Sequence, residues 1–196
     1  SHMYKGKLDE KADKYIYYAV DGAQRMQKLI EDLLSFSRVN THGADFKKTD
    51  LNKCYEDALK NLEISIKETS ADISCDNLPV VRGDYTQLTL LLQNLLSNAL
   101  KFCKDQKPEI KIKTEINNNM WTVSVYDNGI GIDKKHLDRI FVIFQRLHSR
   151  SEYQGTGIGL AVCKRIVERH GGEIFCKSEP SSGSVFYFTI PAIEGG

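Results

Sequence analysis

Residues 94–102 read NLLSNALKF, and two glycine-containing clusters follow them in order. DNGIG occupies residues 127–131, and GTGIGL occupies residues 155–160. Each cluster alone is a weak signal, because polar helix faces and glycine turns are common. Together they supply a polar helix face for a metal, a carboxylate in a tight turn and a loop for phosphate. The three clusters in this order predict a nucleotide-binding site.

The first cluster places Asn94, Asn98 and Lys101 on one side of a predicted helix, within about 60° of one another at 100° per residue. Leucines occupy the other flank. Carboxamide oxygens can coordinate Mg²⁺ directly or through its waters, and an ammonium group attracts phosphate. For an isolated helix, a solvated polar face would be the better explanation. The two later clusters favour the nucleotide interpretation.

The other two clusters point to adenine and to phosphate. Asp127 ends an apolar segment, where its carboxylate can accept a hydrogen bond from the exocyclic amine of adenine, a donor that guanine lacks at that position. Gly129 and Gly131 would let the backbone and the base approach each other. The three alternate glycines Gly155, Gly157 and Gly159 stand where a helix begins, and such a loop exposes amides to an anion. Plain turn chemistry and a flexible helix entry are the alternatives.

Bulk composition excludes several classes of protein. The 196 residues carry a net charge of +1, which argues against nucleic-acid binding and a charged membrane surface. No apolar run reaches the roughly 20 residues that a membrane helix needs. Five scattered cysteines without a C-x-x-C pair indicate reduced thiols and predict a cytoplasmic protein. SHM at residues 1–3 is interpreted as an expression-tag remnant.

Residues 4–40 are predicted to contain one long helix, with its regular pattern over residues 6–39. Apolar residues recur at alternating spacings of four and three: Ala12, Ile16, Ala19, Ala23, Met26, Ile30 and Leu33. Leu29, Leu34 and Phe36 widen this stripe, which favours a helix bundle. A helix that packs on its own domain is the alternative. NTHG at residues 40–43 is the predicted linker to a second domain at residues 41–196.

Beyond the linker, strand and helix patterns alternate. We predict strands at residues 46–50 and 71–75, hairpins at 110–125 and 173–190, and helices at 51–66, 88–102, 133–144 and 157–170. Asp84 and Gln87 have the spacing of a capping box before the second helix. The order predicts an α+β fold, an α/β sandwich with helices on one face of a mostly antiparallel sheet.

IFVIFQR at residues 140–146 leads into a polar loop that extends to residue 154. Phe141 and Phe144 are predicted to anchor this segment in the core. Arg146 could reach a terminal phosphate, although a surface salt bridge is the alternative. The short charged loop is expected to act as a lid over the nucleotide.

These segments resemble the ATP-binding catalytic domain of sensor histidine kinases, whose superfamily includes DNA gyrase, a heat-shock chaperone and the MutL ATPases. Residues 94–102 match its N box, 127–131 and 155–160 its two glycine boxes, and 140–146 its F box. FQRLH at residues 144–148 looks most like kinases of the bacteriophytochrome type.

The resemblance implies a Bergerat fold that binds ATP with Mg²⁺. It implies that Asn98 binds Mg²⁺ with Asn94 in the surrounding shell, that Lys101 and Arg146 contact phosphates, and that Asp127 reads adenine. Phe102 would line the adenine pocket, and the remaining nucleotide contacts would come from the glycine boxes: Gly129, Gly131, Gly155, Thr156, Gly157, Gly159 and Leu160.

The N box also separates kinases from ATPases. ATPases of this superfamily carry a glutamate one turn before the metal-binding asparagine, and this chain has Asn94 there, which cannot accept a proton. The chain is therefore expected to be a kinase, and its predicted catalytic residues are Asn94, Lys101 and Arg146. A degenerate module that binds nucleotide without catalysis is the alternative.

The phosphoacceptor motif of the family, a stretch like His-Glu-Leu-Arg-x-Pro, is missing from this sequence. The long helix resembles the second helix of a dimerisation bundle, so the first helix with its histidine is expected upstream. We therefore expect a piece of a longer, homodimeric two-component kinase that does not phosphorylate itself. Its partner would be a response regulator, and Ile16, Met26, Ile30 and Leu33 are predicted to mediate self-association.

Overall fold

A computed structural model describes residues 10–41, 44–103, 106–147, 152–153 and 155–193. Five helices and seven strands follow one another in these ranges: α1 (Glu10–Thr41), β1 (Lys47–Asp50), α2 (Leu51–Asn61), α3 (Glu63–Thr69), β2 (Asp72–Cys75), β3 (Val80–Gly83), α4 (Tyr85–Lys101), β4 (Glu109–Asn117), β5 (Met120–Asp127), α5 (Gly159–Arg169), β6 (Ile174–Ser178) and β7 (Ser184–Pro191). The interpreted tag remnant, the first residues of the predicted helix, part of the linker and most of the predicted lid lie outside the described residues.

The main sheet has five strands in the order β2-β4-β5-β7-β6. Only the β2–β4 pair is parallel, and the β4–β5, β5–β7 and β6–β7 pairs are antiparallel. β1 and β3 form a separate antiparallel pair, which a bridge between Val81 and Ala192 connects to the end of the chain. The predicted mixed, mostly antiparallel sheet is confirmed, as is the helix–sheet sandwich.

The core lies between the sheet and the helices that cover one of its faces. Alternate strand residues point into it, among them Ile110, Ile112, Val123, Val125 and Phe188, each almost fully buried. α4 contributes a run of buried leucines at helical spacing: Leu88, Leu91, Leu92, Leu95 and Leu96. Because α4 is fixed by this packing, its remaining polar face has a defined direction.

Asp84 connects the start of α4 with the end of α1 and with α5. Its carboxylate accepts from the Gln87 amide at 3.2 Å and the Ala44 amide at 2.8 Å, and it pairs with Arg169 at 3.3 Å. The other half of the predicted capping box is wrong. The Gln87 carboxamide turns away and donates to the Val39 carbonyl at 3.0 Å while accepting from Arg169.

Four predicted features of the elements differ from the structure. The helix predicted at residues 51–66 is broken at Leu62, whose ψ of 6° separates α2 from α3. No strand is predicted between residues 75 and 88, yet β3 lies there and pairs with β1, because four residues alone show no strand period. The helix predicted at residues 133–144 is a single 3₁₀ turn, Lys134–His136, followed by turns. Phe144 is no core anchor, because it is 57% exposed with a φ of +64°.

The long helix α1 has two different faces. Leu29, Phe36 and Val39 pack against the core, and the Phe36 ring lies 4.6 Å from the guanidinium of Arg165 in α5. Met26, Ile30 and Leu33, by contrast, are all at least 46% exposed. The division into a dimerisation helix and a catalytic domain stays a prediction. Within the described residues, no helix has the length and apolarity that a membrane crossing requires.

Candidate nucleotide-binding site

One cavity of about 320 Å³ brings most of the predicted site residues together. This volume lies in the range of small-molecule sites. The lining includes every predicted residue except Gly129: Asn94, Asn98, Lys101, Phe102, Asp127, Gly131, Arg146, Gly155, Thr156, Gly157, Gly159 and Leu160. Their individual roles stay predictions, but their convergence on one pocket is a property of the fold.

The polar face of α4 forms one wall of the pocket. Asn94 donates through Nδ2 to the Leu90 carbonyl at 3.0 Å, one turn earlier in the helix. Its Oδ1 lies against the start of α5, where a Cβ on Gly159 would come within 2.9 Å of this oxygen. Glycine at this position therefore leaves room for the Asn94 carboxamide against the start of α5.

Asp127 lies at the end of β5, at the base of the pocket. Its Oδ1 accepts from the Gly129 amide at 2.9 Å and from the Ser184 amide at 3.2 Å. Burial raises the pKa of this carboxyl, and the two amide hydrogen bonds oppose the shift. These two bonds fix the orientation of the side chain, as a group that reads a base requires.

The turn after Asp127 is held between α4 and the β6–β7 turn. The Ile130 amide donates to the Phe102 carbonyl at 3.0 Å, and the Ile130 carbonyl accepts from the Ser181 amide at 2.8 Å. Gly131 has a φ of +70°, and a Cβ there would lie 2.0 Å from the Glu179 carbonyl oxygen. Gly131 thus permits the close approach that fixes the turn at the pocket edge.

The glycine loop leads into the N-terminus of α5. The Thr156 hydroxyl accepts from the Ile158 amide at 3.4 Å, and Ile158 is the N-cap residue of α5. The first amides of a helix have no partner within it, and the helix dipole favours anions at this end. A phosphate group in the pocket would therefore meet backbone donors and a partial positive charge.

Aromatic and basic side chains meet at the end of α4, beside the glycine loop, where a Cβ on Gly155 would lie 2.9 Å from the Lys101 ammonium. The Phe102 and Tyr153 rings lie 4.9 Å apart, and the Lys101 ammonium lies 4.3 Å from the centre of the Phe102 ring. Arg146 donates to the Tyr153 carbonyl at 2.7 Å. Sequence reasoning missed Tyr153, because it lies in the polar predicted lid where its position relative to Phe102 depends on the fold.

Two further lining residues come from the long helix. Lys28 and Asp32 reach the pocket, form an ion pair at 3.1 Å, and stand one turn apart in α1. Asp32 also accepts a hydrogen bond from the Thr156 hydroxyl at 2.6 Å. No local sequence signal marks this pair, because (i, i+4) charge pairs are usual on exposed helix faces.

The pocket suits an Mg²⁺–nucleotide better than a metal ion alone. In the described part of the chain, no three His, Cys, Asp or Glu side chains lie together as a metal cluster. Mg²⁺ in nucleotide sites takes most of its ligands from phosphates and water and few from the protein. The Asn98 carboxamide, which lines the pocket with Lys101, offers an oxygen of this kind, and its role as a Mg²⁺ ligand stays a prediction.

Comparison with known proteins identifies the family. The model of the histidine kinase-, DNA gyrase B- and HSP90-like ATPases matches residues 83–194, more than half of the chain. The chain belongs to this family. The match covers all of the predicted boxes, from the N box to the second glycine box.

Curated relatives include phytochromes, as the resemblance to phytochrome-type kinases predicts. Cyanobacterial phytochrome A of Nostoc sp. strain PCC 7120 is 50% identical over 188 residues, which are 96% of this chain. The phytochrome-like protein Cph1 of Synechocystis sp. strain PCC 6803 is 47% identical over 188 residues, again 96% of this chain. The chain spans about a quarter of the length of both relatives.

Solved histidine kinases share the fold. The nucleotide-free catalytic domain of histidine kinase ThkA has a TM-score of 0.64 at 30% identity, over 76% of this chain and 96% of that one. ThkA in complex with the response regulator TrrA has a TM-score of 0.72 at 26% identity, over 98% of this chain and 55% of that one. Full-length ShkA in complex with AMPPNP has a TM-score of 0.74 at 23% identity, over 98% of this chain and 42% of ShkA. The Bergerat fold is confirmed.

Proposed function

We propose that this chain is the ATP-binding catalytic part of a sensor histidine kinase. The kinase transfers the γ-phosphoryl group of ATP to a histidine on another part of the intact protein, and from there to a response-regulator aspartate. The observation that carries this proposal is the single pocket shared by the face of α4, Asp127, Arg146 and the glycine loop. The family match and the kinase structures support it.

Each wall of the pocket has a task in this proposal. The Asp127 carboxylate accepts from the adenine amine, and Phe102 packs beside the base. Asn98 would hold Mg²⁺, and Lys101 and Arg146 would neutralise phosphate charge. The start of α5 would offer amides to phosphate oxygens. Bound ATP supplies the transferable phosphoryl group, and the chain contributes positioning and charge neutralisation.

Asn94 favours phosphoryl transfer over hydrolysis. Its carboxamide is held against Leu90 and Gly159, and an amide cannot accept a proton from an attacking water. Slow hydrolysis would preserve ATP for a histidine acceptor. The hydrogen bond from Asn94 Nδ2 to the Leu90 carbonyl adds a structural observation to this sequence argument, because it fixes the orientation of the carboxamide.

The partners and location of the intact protein belong to the same proposal. A response regulator would be the second acceptor, as the ThkA complex with TrrA illustrates for that kinase. Homodimerisation would use the predicted residues Ile16, Met26, Ile30 and Leu33, of which the last three form an exposed stripe of α1. A cytoplasmic location stays a prediction from the cysteine pattern.

The test supplies the acceptor in trans. The chain is mixed with γ-³²P-labelled ATP, Mg²⁺ and a recombinant helical hairpin that carries the phosphoacceptor motif of the family, a stretch like His-Glu-Leu-Arg-x-Pro. We expect label on the hairpin that is stable in alkali and lost in acid, as a phosphohistidine is. A hairpin with that histidine replaced by glutamine is the matched control and should remain unlabelled.

A second measurement separates the kinase from an ATPase. The parent chain should release phosphate from ATP only slowly, and Asn94→Glu should increase steady release by at least about tenfold, since general bases contribute roughly 10²–10⁴-fold. Fast release by the parent chain, together with an unlabelled hairpin, would show an ATPase. Saturable ATP binding with neither activity would favour a non-catalytic nucleotide-binding module.

A further inference from the structure

Asp32 of the long helix carries a negative charge into the phosphate end of the pocket. Its side chain is 21% exposed, and its Oδ2 accepts from the Thr156 hydroxyl at 2.6 Å. The same hydroxyl accepts from the Ile158 amide, at the positive end of α5. A carboxylate from outside the glycine loop thus occupies a donor in the part of the pocket that is suited to an anion.

The other charges around the pocket do not remove this negative charge. Lys28 pairs with Asp32 at 3.1 Å, but its own side chain is 65% exposed, so solvent screens the pair. Lys101 and Arg146 also lie beside the glycine loop, where a Cβ on Gly155 would come within 2.9 Å of Lys101 Nζ, but both are cationic, and the carboxylate of Asp127 lies at the end of β5. Among the described residues that line the pocket, Asp32 is therefore the carboxylate beside the glycine loop.

We propose that Asp32 and a nucleotide phosphate compete for the Thr156 hydroxyl, so that the docked long helix weakens ATP binding and ATP loosens the helix. This inference rests on the proposed nucleotide site. Two negative charges cannot share one hydroxyl donor, and each would also raise the electrostatic energy of the other. The Asp32–Thr156 bond and a phosphate contact at Thr156 are then mutually exclusive. Asp32 becomes a residue that sets nucleotide affinity, although it lies outside the four boxes.

The first experiment measures nucleotide affinity by calorimetry, with Mg²⁺, for the parent chain and for Asp32→Asn. Asparagine keeps the size of the side chain and removes its charge. We expect ATP to bind about 3- to 10-fold more tightly to the variant, the size expected for one unit charge near a partly exposed phosphate. The gain should shrink in 0.5 M salt and be absent for adenosine, which carries no phosphate.

The matched control is Glu31→Gln, which removes the same charge one residue away. Glu31 is exposed and accepts from the Gln27 side chain at 3.1 Å, away from the pocket lining. Its substitution should leave ATP affinity unchanged. An equal gain in both variants would mean that only the net charge of the helix matters, and it would overturn the competition.

The second experiment follows the long helix by hydrogen–deuterium exchange. Mg²⁺·ATP should increase exchange in peptides that cover residues 28–36 of the parent chain, and adenosine should not. Slower exchange with ATP would overturn the proposal, as would weaker ATP binding by Asp32→Asn, which would make Asp32 a ligand of Mg²⁺. If neither the parent nor the variant bound ATP, the nucleotide site itself would be refuted.

Discussion

Replacing Asp127 by asparagine tests the adenine-reading role. Oδ1 of Asp127 accepts from the Gly129 and Ser184 amides, and an asparagine oxygen can keep both bonds. The variant should therefore fold normally. What changes is the other side-chain atom, which becomes an amide donor facing the donor amine of adenine.

The expected loss of affinity follows from the hydrogen bond that is removed. A hydrogen bond to a charged group contributes about 1.5–3 kcal/mol, which corresponds to a roughly 10- to 150-fold weaker binding of ATP. The guanine oxygen at the equivalent position is an acceptor and suits the new amide. The ratio of ATP to GTP affinity should therefore fall by more than the ATP affinity alone.

The assay is calorimetric titration of ATP and of GTP with Mg²⁺, with a thermal melt to confirm folding. Asp133→Asn is the matched control, because Asp133 caps a surface turn by accepting from the Lys135 amide at 3.0 Å, outside the pocket lining. Unchanged ATP affinity in a folded Asp127→Asn variant would refute the assignment of Asp127 to the base. Equal losses for ATP and GTP would refute the donor–acceptor reasoning.

Two further predictions concern stability and association. Burial lowers the pKa of His170, whose Nε2 accepts from the Asp84 amide at 3.0 Å, so the folded chain resists protonation that the unfolded chain accepts. The free energy of unfolding should fall as the pH drops from about 6.5 to 5, by up to about 1.4 kcal/mol per pH unit. Chemical denaturation should show this fall in the parent and in the control variant His136→Asn. The same fall in His170→Asn would contradict the prediction. The second prediction is that the exposed α1 stripe makes the parent dimerise as its concentration rises. Ile30→Glu should raise the dissociation constant of the dimer by roughly tenfold or more, because it would bury a charge in the interface. Sedimentation equilibrium should show no such effect for Ile64→Glu, an even more exposed apolar position in α3. A monomeric parent at high concentration would refute the stripe as an interface.

The features that sequence could predict are those encoded by neighbouring residues. The leucines and polar residues of α4 have one helical period, so both the core face and the pocket face follow from it. Asp84 caps its helix as expected, and Asp50, which also directly precedes a helix, caps it in the same way. The turn at Asn118 and Asn119 has positive φ at both residues, which asparagine tolerates.

The features that escaped prediction depend on distant parts of the chain. β3 is a strand only because β1 lies beside it, and Gln87 leaves its capping position for the Val39 carbonyl. Asp32 belongs to the pocket because α1 packs along α5, a direction that helical spacing does not specify. Phe144 shows the same limit, since an apolar residue in an apolar motif was expected inside and lies exposed.

The hydrogen bonds around Asp84 attach one end of the long helix, so a tilt about that end would move each residue in proportion to its distance from it. Gln87 and Asp84 hold Val39 and Ala44, so this end of α1 is attached to the helix that carries the N box. At 1.5 Å per residue, Glu10 stands about 45 Å from Val39 and Asp32 about 10 Å from it. A tilt of roughly 10° that moves the far end by about 8 Å would shift Asp32 by only about 2 Å. That smaller displacement is enough to break the 2.6 Å hydrogen bond between Thr156 and Asp32. A movement of several ångströms at the far end of α1 would therefore make or break one hydrogen bond in the pocket.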